Sequence, residues 1–183
     1  DIKDLHEYFW DGYEGKGEPY GLINLRLSRK IGRLGDTAYP DPDVMGYNPC
    51  AEQSLAAYET CCLAEVYLPN ITSKDELLDV CTLLYRINKH SLALPCHLQE
   101  TEDIVHKNMR MGIGVTGYLQ ATSEQRFWLK ETYEKLRIYD AQYSAKHGWN
   151  TSIKLTTVKP SGTLSLLAGV TPGVHPGYSQ HFI

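Results

Sequence analysis

The pentapeptide Asn48-Pro49-Cys50-Ala51-Glu52 places an amide, a thiol and a carboxylate at alternate positions of the chain. Alternate side chains leave an extended backbone on the same side, and Pro49 disfavours a helix through this segment. We therefore expect Asn48, Cys50 and Glu52 to share one face. That face would combine a hydrogen-bonding amide, a reactive sulfur and a proton acceptor. Taken alone, the five residues have a simpler interpretation, which is a polar turn with a buried cysteine.

A second candidate site is the hydroxyl-rich segment 160–165, which reads Pro-Ser-Gly-Thr-Leu-Ser. It follows a predicted strand and precedes apolar residues that can begin a helix. Backbone N–H groups converge at such a turn, with a helix dipole behind them, so the segment suits a phosphate. An ordinary Ser/Thr helix cap explains the same residues. The G-x-x-x-x-G-K-[ST] pattern is missing, which argues against a nucleotide-hydrolysing loop.

The five cysteines do not form a recognisable disulfide or metal framework. The number is odd, no secretory signal opens the chain, and no C-x-x-C pair is present, so we expect a reducing, cytoplasmic setting and no metal site. Cys61 lies eleven residues after Cys50, at the head of a predicted strand. Because adjacent strand residues face opposite sides, only one of Cys61 and Cys62 can approach Cys50. Both could instead be small core residues, and helical spacing predicts that Cys81 is one.

The elements that must position these residues alternate between strand and helix. A long Pro/Gly/Asp-rich loop, 35–49, delivers the first motif. Ser73 and Glu76 form a capping-box pattern before one helix, while Ser123 and Gly148 are the expected N-cap and C-terminal glycine of another. The alternation predicts an α/β barrel or a doubly wound sheet. The predicted strands are 20–27, 61–68 and 153–158, and 111–118 is a Gly-rich strand or turn. The predicted helices are 77–94, 102–110 and 123–148.

Length and composition indicate one globular domain or part of one. The chain has 183 residues, 42% of them hydrophobic, and a formal net charge of −4. This balance argues against a nucleic-acid or anionic-membrane surface. No apolar run is long enough to span a membrane. Both ends read like interrupted elements, so we expect a piece of a longer protein.

Four motifs in order resemble the catalytic core of the ribonucleotide reductases. They are NPCAEQ (48–53), YETCCLAEVYLPNI (58–71), MRMGIGVTGY (109–118) and VKPSGTLSLLAGVTPGVHP (158–176). The match is closest to the adenosylcobalamin-dependent class II enzymes, particularly the monomeric type that reduces ribonucleoside triphosphates. The resemblance covers residue 20 to the C-terminus. It implies that 1–183 is a single partial domain from a ten-stranded α/β barrel, with a central finger loop at about 41–60 and a phosphate-binding turn at 160–165.

The resemblance also implies a role for each candidate residue. Cys50 resembles the cysteine whose thiyl radical abstracts the ribose 3′ hydrogen. Glu52 resembles the carboxylate that takes the 3′-hydroxyl proton, and Asn48 the amide that binds the ribose hydroxyls. Cys61 resembles one of two thiols that supply reducing equivalents by closing to a disulfide. The residues that resemble the phosphate loop are Ser161, Gly162, Thr163, Leu164 and Ser165.

The implied cofactor is adenosylcobalamin, and the implied partners are a ribonucleotide substrate, a thioredoxin-type dithiol and the rest of the parent chain. No cysteine precedes Cys50, so the second reducing cysteine is expected upstream, and the isolated piece is expected to be inactive. Two alternatives stay open. One is the large subunit of a class I ribonucleoside-diphosphate reductase, whose radical comes from a separate metal-containing subunit. The other is a non-catalytic module that binds a phosphorylated ligand.

Overall fold

A computed structural model describes residues 22–32 and 40–177, and it has a mixed α/β architecture. The strands β3 (Leu63–Tyr67), β4 (Gly112–Thr116) and β5 (Thr156–Thr157) form a parallel sheet in the order β3-β4-β5. Leu63 pairs with Gly112, and Ile113 pairs with Thr156. The expected α/β class with a parallel sheet is confirmed. The described residues contain three strands of that sheet, so the ten-stranded barrel stays a prediction.

Helices connect the parallel strands, as a crossover requires. Between β3 and β4 lie a 3₁₀ turn (Leu68–Asn70) and the helices α2 (Lys74–Leu92) and α3 (Gln99–Asn108). The helix α4 (Ser123–His147) joins β4 to β5, and a four-residue helix α5 (Leu164–Leu167) follows β5. One face of the sheet packs against α2 and α4. The most buried members of this core include Val66, Leu77, Tyr85, Ile113, Leu136 and Leu155.

The helix ends follow from local hydrogen bonds. The Ser73 hydroxyl accepts from the Glu76 amide at 3.1 Å, which confirms the predicted start of α2. The N-cap of α4 is Thr122 and not Ser123, because the Thr122 hydroxyl accepts from the Gln125 amide while the Gln125 side chain bonds back to the Thr122 amide. This reciprocal pair satisfies two orphan N–H groups. Gly148 ends α4 at φ +68°, as predicted.

The prediction of a strand at 20–27 is wrong for the part of this segment that the structure describes. Residues Leu25–Lys30 form a short helix, α1, and residues 20 and 21 lie outside the described ranges. The side chain of Asn24 accepts a hydrogen bond from the Leu27 amide at 2.9 Å, which caps this helix. A local cap therefore prevailed over the β-branched and aliphatic character of the segment.

An antiparallel hairpin forms a second sheet, separate from the parallel one. It consists of β1 (Gly46–Tyr47) and β2 (Ser54–Leu55), with Gly46 opposite Leu55 and Tyr47 opposite Ser54. The first candidate motif, 48–52, forms the tip of this hairpin. No helix among the described residues is long and apolar enough to cross a membrane.

Candidate active site at the hairpin tip

The hairpin tip is a tight loop that Asn48 and Gln53 close. The Asn48 amide donates to the Gln53 carbonyl at 3.0 Å, and the Gln53 amide donates to the Asn48 side-chain oxygen at 3.1 Å. The Ala51 amide donates to the Asn48 carbonyl at 2.9 Å, which makes a turn with Pro49 in its second position. Ala51 has φ +60°, so the segment 48–52 is not extended. The prediction that 48–52 is extended, with Asn48, Cys50 and Glu52 on one face, is therefore wrong. The hydrogen bonds of Asn48 to Gln53 and Ala51 fold the chain back on itself instead.

The fold nevertheless brings the predicted tip residues close to Cys61. The Asn48 side-chain amide donates to the Cys61 sulfur at 3.5 Å. Partial burial raises the pKa of the Cys61 thiol, and the negative charge of Glu52 raises it further. The Asn48 hydrogen bond and the Lys159 charge act in the opposite direction, while Cys50 adds to the rise. Both thiols are free, and Cys50 is exposed at the tip.

Glu52 is held at the end of the hairpin by its backbone rather than by its carboxylate. The Thr157 hydroxyl of β5 donates to the Glu52 carbonyl at 2.6 Å. The Oε2 atom of Glu52 is buried and has no hydrogen-bond partner among the described residues. Buried polar atoms nearly always find a partner in a finished site. This oxygen is therefore available to a molecule bound beside the hairpin.

Cys62 faces away from this site. Its sulfur lies 3.9 Å from the Asn88 carbonyl, and its side chain packs against the core under α2. Burial raises the pKa of Cys62 to about 11, with the neighbouring Cys61 as a smaller cause. Adjacent residues leave the chain on opposite sides just before β3, so Cys61 is the one that reaches Asn48. Cys81 is buried in α2, and its place in the core is confirmed.

An open cavity of about 730 Å³ lies beside the hairpin tip. Cys50, Ala51 and Glu52 form part of its wall, and the segment that contains β5 forms another part. Ligand pockets are commonly about 300–1,000 Å³. The cavity is thus large enough for a nucleotide, and both Cys50 and Glu52 border it.

The hydroxyl-rich segment 160–165 forms a turn after β5. Ser161 is buried with φ +49°, and its hydroxyl donates to the carboxylate of Glu65. Ser165 is also buried, and its hydroxyl has no hydrogen-bond partner among the described residues. Gly162, Thr163 and Leu164 are exposed. The predicted strand-to-turn-to-helix order is present, although β5 pairs over only two residues and α5 has four.

Sequence reasoning missed a polar cluster beneath that turn. Glu65 on β3 accepts from the hydroxyls of Thr116 and Ser161, and it pairs with Lys159 at 3.4 Å. Gly114 on β4 leaves the space for Lys159, since a Cβ there would lie 2.8 Å from the Lys159 Cγ. A charged residue inside the apolar run of β3 was the available signal, because a buried carboxylate requires a partner. Among the described residues, no three His, Cys, Asp or Glu side chains form a group that could hold a metal ion.

Comparison with known proteins finds similar proteins that share one name. No protein-family model matches the chain. The adenosylcobalamin-dependent ribonucleoside-triphosphate reductase of Euglena gracilis is 42% identical over 87% of this chain and 22% of its own length. The enzyme of that name from Lactobacillus gasseri is 36% identical over 98% of this chain and 28% of its own length. The crystal structure of a B-12 dependent (class II) ribonucleotide reductase matches with a TM-score of 0.76 and 33% identity, over 87% of this chain and 27% of that chain. The chain thus spans about a quarter of the length of these relatives.

Proposed function

Because this chain is homologous to a segment of the adenosylcobalamin-dependent (class II) ribonucleotide reductases, we propose that the protein containing it reduces ribonucleotides to 2′-deoxyribonucleotides for DNA synthesis. The proposed substrates are ribonucleoside triphosphates, and the proposed location is the cytoplasm. The observation that supports this most directly is the meeting of Asn48 and Cys61 at 3.5 Å beside the exposed Cys50. Four residues required by the proposed reaction, Asn48, Cys50, Glu52 and Cys61, come together there from two separate segments.

In the proposed reaction, the Cys50 thiyl radical abstracts the hydrogen from the ribose C3′. The hydrogen atom moves to sulfur, so the thiol is restored and the radical passes to C3′. Glu52 accepts the proton of the 3′-hydroxyl, and the 2′-hydroxyl leaves as water with one of the two protons that the reducing thiols supply. When the substrate has been reduced, Glu52 returns its proton and Cys50 returns its hydrogen atom to C3′, which restores the thiyl radical. The unpartnered Oε2 of Glu52 supports this role, because a general base must be within hydrogen-bond reach of its proton.

Cys61 supplies reducing equivalents in this proposal. Its thiol and a second thiol outside this chain are oxidised to a disulfide, which delivers two electrons and two protons to the substrate. A thioredoxin-type dithiol then reduces the disulfide by exchange. Asn48 uses one N–H on the Cys61 sulfur, and its amide group has a second N–H for a ribose hydroxyl.

Adenosylcobalamin, when bound, supplies the radical chemistry that generates the Cys50 thiyl. The residues present fit such a group in one respect. The Cys50 thiol is exposed and borders an open cavity, so a bulky radical source can approach it. We assign no residue of this chain as a ligand of the cobalt. Cys50 alone is the proposed point of contact.

We further propose that the hairpin is the tip of a finger loop at about 41–60 inside a ten-stranded α/β barrel, of which 1–183 is a partial domain. Parallel strands with helical crossovers support a barrel, and the contact of Thr157 with Glu52 supports a hairpin held against the strands. The turn 160–165 is proposed to bind the substrate phosphates through its exposed middle residues, Gly162 to Leu164. The positive φ of Ser161 supports an anion-binding backbone shape.

The test is turnover by the full-length protein. We expect it to convert a ribonucleoside triphosphate to the deoxy product with adenosylcobalamin and a thioredoxin system, and to lose activity in light. The Cys50→Ser variant is expected to retain nucleotide binding and to lose turnover. A requirement for a metal-containing subunit and a diphosphate substrate would instead indicate a class I enzyme. Nucleotide binding without turnover in the parent protein, unchanged in Cys50→Ser, would indicate a binding module.

A further inference from the structure

Both arms of the hairpin converge on one buried guanidinium. Arg110 lies just before β4, and its side chain is fully buried. Its terminal nitrogens donate to the two carboxylate oxygens of Asp41 at 2.5 and 2.8 Å. Its Nε lies 2.9 Å from the carboxylate of Glu59. Asp41 precedes β1 and Glu59 follows β2, so the two carboxylates approach Arg110 from the two chain segments that flank the base of the hairpin.

Additional polar groups complete this cluster. The Ser54 hydroxyl donates to Asp41 at 3.0 Å, and the Asn108 side chain donates to Glu59 at 2.9 Å. Lys154, just before β5, lies 3.5 Å from Asp41. The buried group therefore has two positive and two negative charges, and α3, β4 and β5 all border it.

The electrostatics keep Asp41 ionised. Burial alone would raise the pKa of Asp41, but the hydrogen bond and charge of Arg110, together with the Lys154 charge and the Ser54 hydrogen bond, outweigh burial and hold the pKa below its usual range. Burial lowers the pKa of Arg110, but Asp41 and Glu59 raise it above its ordinary value, so the guanidinium stays charged. Removing one charge from this buried group of two positive and two negative charges would leave the group unbalanced, which is strongly unfavourable.

The hairpin needs an anchor of this kind because its own pairing is short. Only two residue pairs join β1 to β2. A two-stranded hairpin is marginally stable by itself, even with longer strands. Among the described residues, the hydrogen bonds that join the tip to the rest of the site include the Thr157 bond to Glu52 and the Asn48 bond to Cys61. The orientation of Cys50 therefore depends on how firmly the base of the hairpin is held.

We propose that Arg110 is a positioning residue that clamps the base of the hairpin and thereby sets the position of Cys50 at its tip. This inference rests on the function proposed above, and it assigns Arg110 no contact with substrate. The planar guanidinium donates to both oxygens of Asp41, and Glu59 is a charge partner 2.9 Å from an Nε that makes no hydrogen bond among the described residues. A lysine has the charge but lacks that fork geometry. Reacting atoms displaced by about 1 Å can cost about 100-fold in rate, so a loosened clamp is expressed in kcat.

The test compares Arg110→Lys and Glu59→Gln with Asp140→Asn in the full-length protein. Asp140 is a similarly buried carboxylate, 2.9 Å from Lys89 and 2% exposed. It joins α2, α4 and Ser152 before β5, and none of these partners lies in the hairpin. Amide hydrogen exchange is measured across the molecule, and kcat and KM are measured with ribonucleoside triphosphate. We expect the first two variants to exchange faster in segment 40–60 only. We expect Arg110→Lys to lose about 100-fold in kcat with little change in KM.

The Asp140→Asn control is expected to exchange faster in α2 and α4, with kcat within about twofold of the parent enzyme. Faster exchange spread evenly over the molecule in Arg110→Lys would overturn the clamp, as would a loosened hairpin with unchanged kcat. If Arg110→Lys does not fold, the amide exchange and kcat of Glu59→Gln are judged by the same two outcomes. If the parent protein reduces no ribonucleotide, the proposed function fails. The exchange pattern of the variants still tests, independently of turnover, whether Arg110 holds the base of the hairpin.

Discussion

The side-chain amide of Asn48 donates to the sulfur of Cys61, thirteen positions away in the chain, across 3.5 Å. This contact joins the hairpin tip to the residue that leads into β3. At this position the pKa of the Cys61 thiol is lowered by the Asn48 amide and raised by the Glu52 charge and by Cys50. Two motifs that are separate in the sequence thus become one site.

The reactivity of Cys61 should change in opposite directions in two variants. Asn48→Asp retains an oxygen for the Gln53 amide but replaces the donor to sulfur with a negative charge, so the pKa of Cys61 rises. Glu52→Gln removes a charge that raises that pKa, so it falls. At a fixed pH below the thiol's pKa, alkylation of Cys61 should slow in the first variant and accelerate in the second, by about tenfold for each pKa unit. Mass spectrometry of the labelled peptide measures both rates. The more distant Cys96 is the internal control, and a same-direction change would contradict the geometry.

Cys50 and Cys81 should respond differently to substitution in the full-length protein. Cys50 is exposed, so Cys50→Ser should abolish deoxyribonucleotide formation without lowering the urea midpoint. Cys81 is 7% exposed in the core, so Cys81→Ala should cost about 1 kcal/mol of stability and retain turnover. Loss of activity in both variants without a stability difference would argue against separate roles.

Gly114→Ala should disturb the turn 160–165, which we propose binds the substrate phosphates, through Lys159. The added Cβ would lie 2.8 Å from the Lys159 Cγ, so that side chain must move and weaken its 3.4 Å pair with Glu65. Because Glu65 also binds Ser161, we expect KM for the triphosphate to rise about tenfold, which corresponds to about 1.4 kcal/mol. Steady-state kinetics measure it. Gly46→Ala is the control, since nothing lies within 4 Å of its added Cβ. Equal effects in both variants would contradict this reasoning.

Acid should weaken the hairpin anchor. The folded-state pKa of Asp41 lies below its ordinary 3.8, so its contribution to stability is full above that value and is lost as the pH falls through the folded-state pKa. The difference in unfolding free energy between the parent protein and Asp41→Asn should be constant near neutral pH and shrink below 3.8. Urea unfolding at a series of pH values measures it. Asp43→Asn breaks an exposed pair with Lys107 and should cost less than about 1 kcal/mol. A pH-independent Asp41→Asn difference would refute the pairing.

Several elements were predictable because the interactions that form them are local. The Ser73 cap, the apolar spacing around Cys81 and the terminal Gly148 act within one or two helical turns, and α2 and α4 follow from them. The same local logic failed where two local signals competed. Asn24 caps a helix inside a segment whose composition favours a strand.

The candidate residues and the α/β class were determined by the sequence itself, because their types, order and spacing are properties of the chain. Only the tertiary structure decided which thiol meets Asn48, how the hairpin tip folds, and which cation anchors the hairpin. Arg110 and Asp41 are 69 positions apart. No local pattern encodes such a pair, because it depends on the register of β3, β4 and β5 and on the packing of the hairpin against them. Burial then selects the partner, since a charge removed from water must find its opposite nearby.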